Sequence, residues 1–324
     1  MKMLNLRVIW ALGGVFLTFL RTPADELPGD FSQVLVSAIQ RADPKALEEA
    51  LTRNHSLERN HQSILHLAMR LGNPAALRTC LDYCADWRSI GEEGQNVLTM
   101  GVALGHLDAV AVLLENGGDA NTVLASPAST QFRDLISVKW LREQLAYDRG
   151  LTPLMIAAGK ADESMVRLLL RHQARRAVYT GRYKMPPVAF ACRAEQPRIT
   201  QLILGRDPDV NPDKLKIVIS LSSQRIKLYK DDQLVMSCRC STGRKGFDTP
   251  TGTFVVTSKH ATWESNLYHV PMPYFLRLNG SAIGLHQGVV PGYPASHGCI
   301  RVPSRSAPVI YRQIQVGDPV HISR

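Results

Sequence analysis

Long apolar runs, regularly spaced cysteines and alternating aromatic and basic residues are all missing from this 324-residue chain. The apolar run near the N-terminus covers residues 8–20, which is 13 residues, whereas a helix that spans a bilayer needs about 20. Six cysteines without framework spacing argue against a disulfide-stapled scaffold. Aromatic residues amount to 6% and do not interleave with basic ones as in a single-strand binder, so we expect no nucleic-acid partner.

The composition is that of a globular protein with a charged half. Hydrophobic residues make up 45% and charged residues 20%, which excludes a collagen, a coiled coil and wholesale disorder. The length suggests about two domains. Residues 214–324 carry 14 basic and 5 acidic side chains, whereas residues 31–213 carry 21 and 20. An anionic polymer or a membrane surface would therefore suit the C-terminal half as a partner.

Residues 1–24 have the features of an export signal. Lys2 and Arg7 precede the apolar run, and Thr22 and Ala24 place small residues where a signal peptidase would cut after Ala24. We predict a cleaved signal peptide; an uncleaved membrane anchor is the first alternative, and a buried helix of a cytoplasmic protein is the second. A signal peptide or an anchor would place the rest of the chain in the periplasm.

Residues 31–213 contain an apolar pattern that repeats every 33 residues. Residues 64–68 are followed by Leu-Gly-Asn at 71–73, and 33 residues later residues 97–100 are followed by Leu-Gly-His at 104–106. Each such unit predicts two short amphipathic helices. Further copies of the pattern are predicted at 152–170, at 187–204 and, in degenerate form, at 34–51.

This pattern resembles the ankyrin repeat, whose marker is Thr-Pro-Leu-His-x-Ala. Residues 152–154 match as Thr-Pro-Leu, and the other copies keep the Leu and Ala positions. The resemblance implies an all-α solenoid over residues 31–213 whose concave surface grips a protein partner; a plain spacer is the alternative. A 23-residue insertion separates the copies that contain Leu98 and Leu154. Helical spacing within the insertion predicts one helix through Leu135, Val138, Leu141 and Leu145.

After residues 211–213 the apolar period changes from helical to alternating. Residues 216–221, 224–229, 233–240 and 254–257 predict antiparallel strands joined by tight turns, and only residues 304–314 show helical spacing. The sequence therefore predicts a mainly β domain over residues 214–324.

One segment of the β domain concentrates reactive side chains around a thiol. Cys299 has His297 two residues before it and His286 thirteen residues before it. A thiol attacks as thiolate, so it needs a base, and Gly298 beside it leaves room for backbone N–H groups to face an oxyanion. Two other interpretations are a metal site with His286, His297 and Cys299 as ligands, which lacks a fourth ligand, and a cysteine buried in a β core.

Residues 286–301 resemble the active-site signature of the L,D-transpeptidases, which reads His, a loop, Ser/Thr-His-Gly-Cys, an apolar residue and Asn or Arg. The positions of the signature are occupied here by His286, Ser296, His297, Gly298, Cys299, Ile300 and Arg301. Blocks at 241–243, 249–253 and 271–274 extend the resemblance over residues 216–322. The nine-residue loop before Ser296 is shorter than in many members, which leaves substrate choice open.

The resemblance implies a β-sandwich or barrel that carries out acyl transfer on peptidoglycan stem peptides without a cofactor or a metal. Cys299 would attack the meso-diaminopimelate carbonyl of a stem tetrapeptide and release D-Ala, and an amine would resolve the thioester as a 3→3 cross-link or a lipoprotein anchor. It implies His286 as proton carrier, with His297 and Gly298 shaping the site and its oxyanion hole. It also implies that Tyr274, Ser296 and Arg301 lie at the substrate, with structural roles as alternatives for Tyr274 and Arg301.

Two other functions use the same parts of the chain. One is an L,D-carboxypeptidase or amidase with the same thiol chemistry, and the other is a wall-binding scaffold whose ankyrin repeats bind a protein partner. If the chain is an enzyme, we expect an activated Cys299 to react with iodoacetamide well below the ordinary thiol pKa of about 8.5. We also expect residues 214–324 to fold and react without the repeats.

Overall fold

The computed structural model describes residues 29–41, 43–52, 61–83, 87–88, 90–91, 94–210 and 214–324. The predicted export segment, residues 1–24, and the predicted break at residues 211–213 lie outside the described residues. Within the described ranges, no helix combines the length and the apolar character that crossing a bilayer requires.

The N-terminal half is an array of short helices, as the repeat pattern predicted. The two helices of each unit contact each other, and the first helices and the second helices of successive units also contact, so the units stack as a solenoid. The helices are α1 Gly29–Gln40, α2 Pro44–Thr52, α3 His61–Arg70, α4 Pro74–Tyr83, α5 Val97–Leu104, α6 Leu107–Glu115, α7 Thr130–Asp134, α8 Lys139–Tyr147, α9 Pro153–Gly159, α10 Glu163–Arg171, α11 Pro187–Arg193 and α12 Pro197–Ile203.

Local signals set the ends of these helices, and packing stabilises them. The Asn96 side chain accepts a hydrogen bond from the Thr99 N–H at 2.8 Å, and Asp162 does the same for Met165 at 3.0 Å. Pro153 stands in the first turn of α9, where its missing N–H leaves no helical bond unmade. Helices of this length are marginal alone, so their buried apolar faces hold them in place.

The insertion forms two helices where the spacing predicted one. Leu135 follows the end of α7 and Val138 precedes α8 in an extended conformation, so the helix is interrupted between them. The break lets Phe132 of α7 and Leu141 of α8 both enter the core, where each is fully buried. The spacing of the apolar residues alone predicts a continuous helix, whereas packing in the tertiary core favours two short helices.

Residues 214–324 form an eight-stranded sheet and one helix. The predicted strands are present, and so is the predicted helix, which is confined to its central part. The strands occur in the spatial order β3-β2-β1-β8-β4-β5-β6-β7. The elements are β1 Leu215–Ser220, β2 Arg225–Lys230, β3 Gln233–Arg239, β4 Gly252–His260, β5 Phe275–Leu278, β6 Gly284–Gln287, β7 Ile300–Val302, α13 Ala307–Gln313 and β8 Pro319–Ser323.

The sheet curls into a barrel-like form. Just beyond the end of β3, Ser241 pairs with Arg301 of β7, which brings the two edges of the sheet together. Alternate residues point inward, as Ile226 and Leu228 of β2 do, and they form one apolar core with Ile310 of α13. The period-two pattern therefore marks an inner and an outer face of the barrel.

The last repeat contacts the β domain directly. The Gln201 side chain of α12 donates a hydrogen bond to the Gly317 carbonyl at 3.0 Å, and the Arg206 guanidinium pairs with the Asp318 carboxylate, which is only 1% exposed. Helix α12 also contacts β4. The β domain therefore covers the open end of the repeat stack, where a solenoid otherwise needs a capping unit.

Candidate active site

His286 lies on β6, and Cys299 directly precedes β7, the strand that runs beside β6. The strands are parallel, with His286 opposite Arg301 and Leu285 opposite Ile300. Leu285 and Ile300 are buried in the core, so His286 and Arg301 point the other way, and Cys299 directly precedes Ile300. Neighbouring strands lie about 4.8 Å apart, and two residues along a strand span about 6.6 Å, so the Cα atoms of Cys299 and His286 are about 8 Å apart. An imidazole and a thiol side chain can span that distance.

The His286 ring is held in one tautomer by its own strand. Its Nδ1 lies 2.7 Å from the Gln287 carbonyl, which can only accept, so Nδ1 carries the hydrogen and Nε2 is the basic nitrogen. Burial lowers the pKa of His286; the Gln287 bond opposes this, and the charge of Arg301 lowers the pKa further. The imidazole is therefore neutral near pH 7 and able to accept a proton.

The Cys299 thiol is half-buried and donates to the Ala282 carbonyl at 3.6 Å. Burial raises the pKa of Cys299 above its ordinary value, although the Gly284 N–H and the charges of Arg301 and Arg277 act in the opposite direction. The expected reaction with iodoacetamide well below the ordinary pKa thus disagrees with the structure. Desolvation favours a neutral thiol beside a neutral imidazole over a pre-formed ion pair.

Ser296 holds the turn that carries the thiol. Its buried hydroxyl donates to the Cys299 carbonyl at 2.5 Å and accepts the Gly298 N–H at 3.1 Å. Gly298 has φ +113°, a conformation that L side chains rarely adopt. The hydroxyl predicted to bind substrate therefore faces its own loop, and its substrate role stays a prediction.

Backbone N–H groups at this turn are available to stabilise negative charge. The Gly298 N–H, included in the predicted oxyanion hole, is occupied by Ser296. Within residues 214–324, as the structure describes them, the N–H groups of His297 and Cys299 donate to no protein acceptor. These two groups are the candidates to face an oxyanion on a carbonyl attacked by Cys299.

Buried hydroxyls behind the turn complete its support, and the sequence analysis assigned them no role. Thr249 Oγ1 donates to the Gly298 carbonyl at 2.7 Å, and Ser241 Oγ donates to the Tyr293 carbonyl at 2.7 Å. Gly243 allows residues 247–249 to approach, because a Cβ there would lie 1.9 Å from the Phe247 carbonyl oxygen and 2.7 Å from the Thr249 nitrogen. The signal for this network was the pair of blocks at 241–243 and 249–253, which combine Ser or Thr with Gly beside predicted strands.

His297 lies in an aromatic cluster at the surface. Its ring packs against Phe247 at 4.7 Å and Tyr268 at 4.6 Å between centroids, and its Nε2 accepts a hydrogen bond from the Arg244 guanidinium at 2.8 Å. The lone pair of Nε2 is thus occupied by Arg244. Of the two imidazoles, His286 is therefore the candidate for a base.

Tyr274 and Arg301 lie in different surroundings. The Tyr274 ring packs edge-on against Tyr311 at 5.6 Å and is partly buried against the core. Arg301 pairs through its backbone with Ser241, and its charge acts on both His286 and Cys299. The structure thus brings Arg301 to the reacting pair and places Tyr274 in a packing position.

No group of three or more His, Cys, Asp or Glu side chains among the described residues has the arrangement to hold a metal ion. Within those residues, the three ligands of the metal interpretation do not form such a group. The contacts at this site are those of a thiol, a tautomer-fixed imidazole and a hydrogen-bonded turn.

The two halves of the chain match different family models. Residues 214–322 match the model of the L,D-transpeptidase catalytic domain, and residues 35–123 and 149–178 match models of ankyrin repeats. The chain carries an L,D-transpeptidase catalytic domain preceded by ankyrin repeats. A Bacillus licheniformis protein named as an L,D-transpeptidase is 30% identical over 109 residues, which cover 31% of this chain and 59% of that protein.

Solved L,D-transpeptidase structures also resemble this chain. One from Mycobacterium smegmatis is 20% identical with a TM-score of 0.33, covering 34% of this chain and 59% of that one. One from Mycobacterium tuberculosis H37Rv is 23% identical with a TM-score of 0.32, covering 34% and 58%. This chain therefore spans less than two thirds of the length of these relatives. The L,D-transpeptidase catalytic domain accounts for its C-terminal third, and the repeats lie before it.

Proposed function

We propose that the catalytic domain acylates Cys299 with a peptidoglycan stem peptide and passes the acyl group to an amine. The observation that carries this proposal is the placement of Cys299 directly before β7, which pairs with the strand that carries His286, with the hydrogen of His286 on Nδ1. In the first step His286 Nε2 accepts the thiol proton as the sulfur attacks the meso-diaminopimelate carbonyl. Because both Cys299 and His286 are neutral before the reaction, the proton transfer from the thiol to the imidazole is part of the attack.

The tetrahedral intermediate then collapses. Its oxyanion would be stabilised by the backbone N–H groups of Cys299 and His297, which have no other acceptor in the described range 214–324. The amide C–N bond breaks, His286 returns its proton to the leaving D-Ala amine, and a thioester remains on Cys299. A second amine attacks the thioester, His286 removes a proton from it, and the thiol is restored with a new amide bond. The acceptor in this proposal is a second diaminopimelate or a lipoprotein lysine.

Mass spectrometry of the full chain with purified tetrapeptide muropeptides tests the chemistry. We expect D-Ala release, a transient mass increase on the peptide containing Cys299, and cross-linked products. Cys299→Ala should abolish all three. Cys238→Ser is the matched control, because Cys238 is a second partly buried free thiol of the same domain and should be dispensable. Turnover by Cys299→Ala would contradict the proposal.

The proposal extends to location and partner. A domain that acts on peptidoglycan needs access to the periplasm, which agrees with the export signal predicted over residues 1–24. A reporter fused after residue 324 should be active outside the inner membrane, and activity only in the cytoplasm would contradict export. The ankyrin stack is proposed to bind a protein, and site-specific photocrosslinking from the exposed Val123 and Tyr147 should yield one defined adduct in cells.

A further inference from the structure

The outer face of β2 and β3 carries positive charges that the proposed reaction does not use. Arg225 and Lys227 of β2 alternate with buried residues, and both are exposed, as is Arg239 at the end of β3. We call these three residues the basic strip. Arg225 lies directly opposite Arg239, and Lys227 opposite Ser237. Like charges directly opposite each other destabilise a sheet, so this pair lowers the stability of the fold.

No acidic side chain within the part of the chain that the structure describes neutralises the basic strip. Among the described residues, no carboxylate lies within ion-pair distance of Arg225, Lys227 or Arg239, and Arg225 instead donates to Ser237 Oγ at 3.1 Å. Carboxylates of the same domain are paired elsewhere: Asp232 with Lys216, Asp318 with Arg206, and Glu264 with His269. The strip is therefore open to an external anion.

The basic strip leads to the reactive thiol. Two residues after Arg239 the chain reaches Ser241, which pairs with Arg301 of β7. Arg301 is two residues from Cys299 and opposite His286. Arg239 therefore lies two residues from the Ser241–Arg301 pair on one strand, and Cys299 lies two residues from the same pair on the other. A polymer that presents a reacting group to Cys299 can therefore extend along the strip.

We infer that the basic strip binds free carboxylates of the peptidoglycan network that surrounds the stem peptide acylated by Cys299. This inference rests on the proposed function, which supplies the polymer and its position. Charge complementarity supports it, because stem peptides that are not cross-linked carry free carboxylates. An exposed guanidinium or ammonium group binds a carboxylate weakly, so the strip acts through several contacts along one insoluble polymer.

Co-sedimentation of the full chain with purified sacculi tests the inference. Arg225→Gln combined with Arg239→Gln should weaken binding about threefold to tenfold at an ionic strength of about 0.05 M, and the difference should shrink at about 0.5 M, where screening is short-ranged. Lys139→Gln combined with Arg312→Gln removes the same charge from exposed or partly exposed helical positions elsewhere and should change binding less than about twofold. Sacculi whose carboxylates have been amidated should bind the parent chain as weakly as native sacculi bind the strip variant.

The outcomes separate this inference from the proposed function. We expect the strip variant to turn over soluble muropeptides at the parent rate while it processes sacculi more slowly. Equal binding of the strip variant and the parent, or equal binding of native and amidated sacculi, would overturn the inference and leave the chemistry intact. A loss seen only with vesicles of anionic phospholipid would also overturn it in favour of a membrane surface. Failure of the parent to turn over any muropeptide, with strip-dependent binding retained, would instead overturn the proposed chemistry.

Discussion

Replacing Ser296 by alanine removes the hydroxyl that holds the catalytic turn. The substitution deletes the bond to the Cys299 carbonyl and the bond from the Gly298 N–H, and it leaves both backbone groups in a site where Ser296 itself is 2% exposed. A net hydrogen bond contributes about 1 kcal/mol, and an unsatisfied buried group costs about 1–3 kcal/mol. Part of this loss is recovered if water reaches the carbonyl, so we expect about 2–4 kcal/mol of destabilisation.

Thermal unfolding and kinetics together measure the effect of Ser296→Ala. A domain of this size loses about 4 °C in Tm or more for each kcal/mol, so the unfolding transition of the catalytic domain should fall by about 8 °C or more. Turnover of muropeptides measured well below that transition should drop about tenfold to a hundredfold in kcat, because the Cys299 peptide loses its fixed position. Ser304→Ala, at an exposed position after β7, is the control and should change neither quantity.

One result would refute this reasoning about Ser296. If Ser296→Ala keeps its Tm within about 1 °C and its kcat unchanged while KM rises, the hydroxyl contacts the substrate and the turn does not depend on it. That outcome would favour the substrate-binding role suggested by the sequence resemblance.

Three further results are expected. Burial lowers the pKa of His286 from 6.5, so on acidification the unfolded chain binds a proton at this histidine before the folded chain does. The contribution of His286 to the free energy of unfolding is therefore complete above about pH 6.5 and falls below it. Melting curves at several pH values should show a smaller fall for His286→Gln than for the parent chain. Because burial raises the pKa of Cys299 above 9.0, its alkylation by iodoacetamide should keep increasing beyond pH 9.0, and a plateau near neutral pH would indicate a pre-formed ion pair. Arg206→Ala removes the guanidinium that pairs with the buried Asp318 and should destabilise the chain by about 2–3 kcal/mol in calorimetry. Arg78→Ala, in an exposed pair with Glu115, should cost under about 0.5 kcal/mol, and equal effects would contradict the interdomain role of Arg206.

Much of the architecture follows from local sequence patterns. The 33-residue period predicts paired helices because each unit repeats the same amphipathic spacing, and the period-two runs after residue 214 predict the strands of the barrel. The residues His286, Gly298 and Cys299 could be selected because a thiol needs a base to attack and a glycine leaves room for backbone N–H groups to face an oxyanion. The helix predicted from apolar spacing is interrupted between Leu135 and Val138, because packing into the shared core requires two short helices there.

Tertiary structure decided what these residues do for one another. Parallel pairing of β6 and β7 brings the strand of His286 beside the segment of Cys299, and no count of residues along the loop determines that register. The direction of each pKa change depends on burial, which is a property of the folded barrel and reversed the expectation for the thiol. The motif predicted that Ser296 binds substrate, but its hydroxyl is hydrogen-bonded within its own turn. The sequence thus determined which chemical groups are present, because composition and apolar spacing are local properties of the chain. Folding determined the partners of those groups, because it brings together residues from distant parts of the chain.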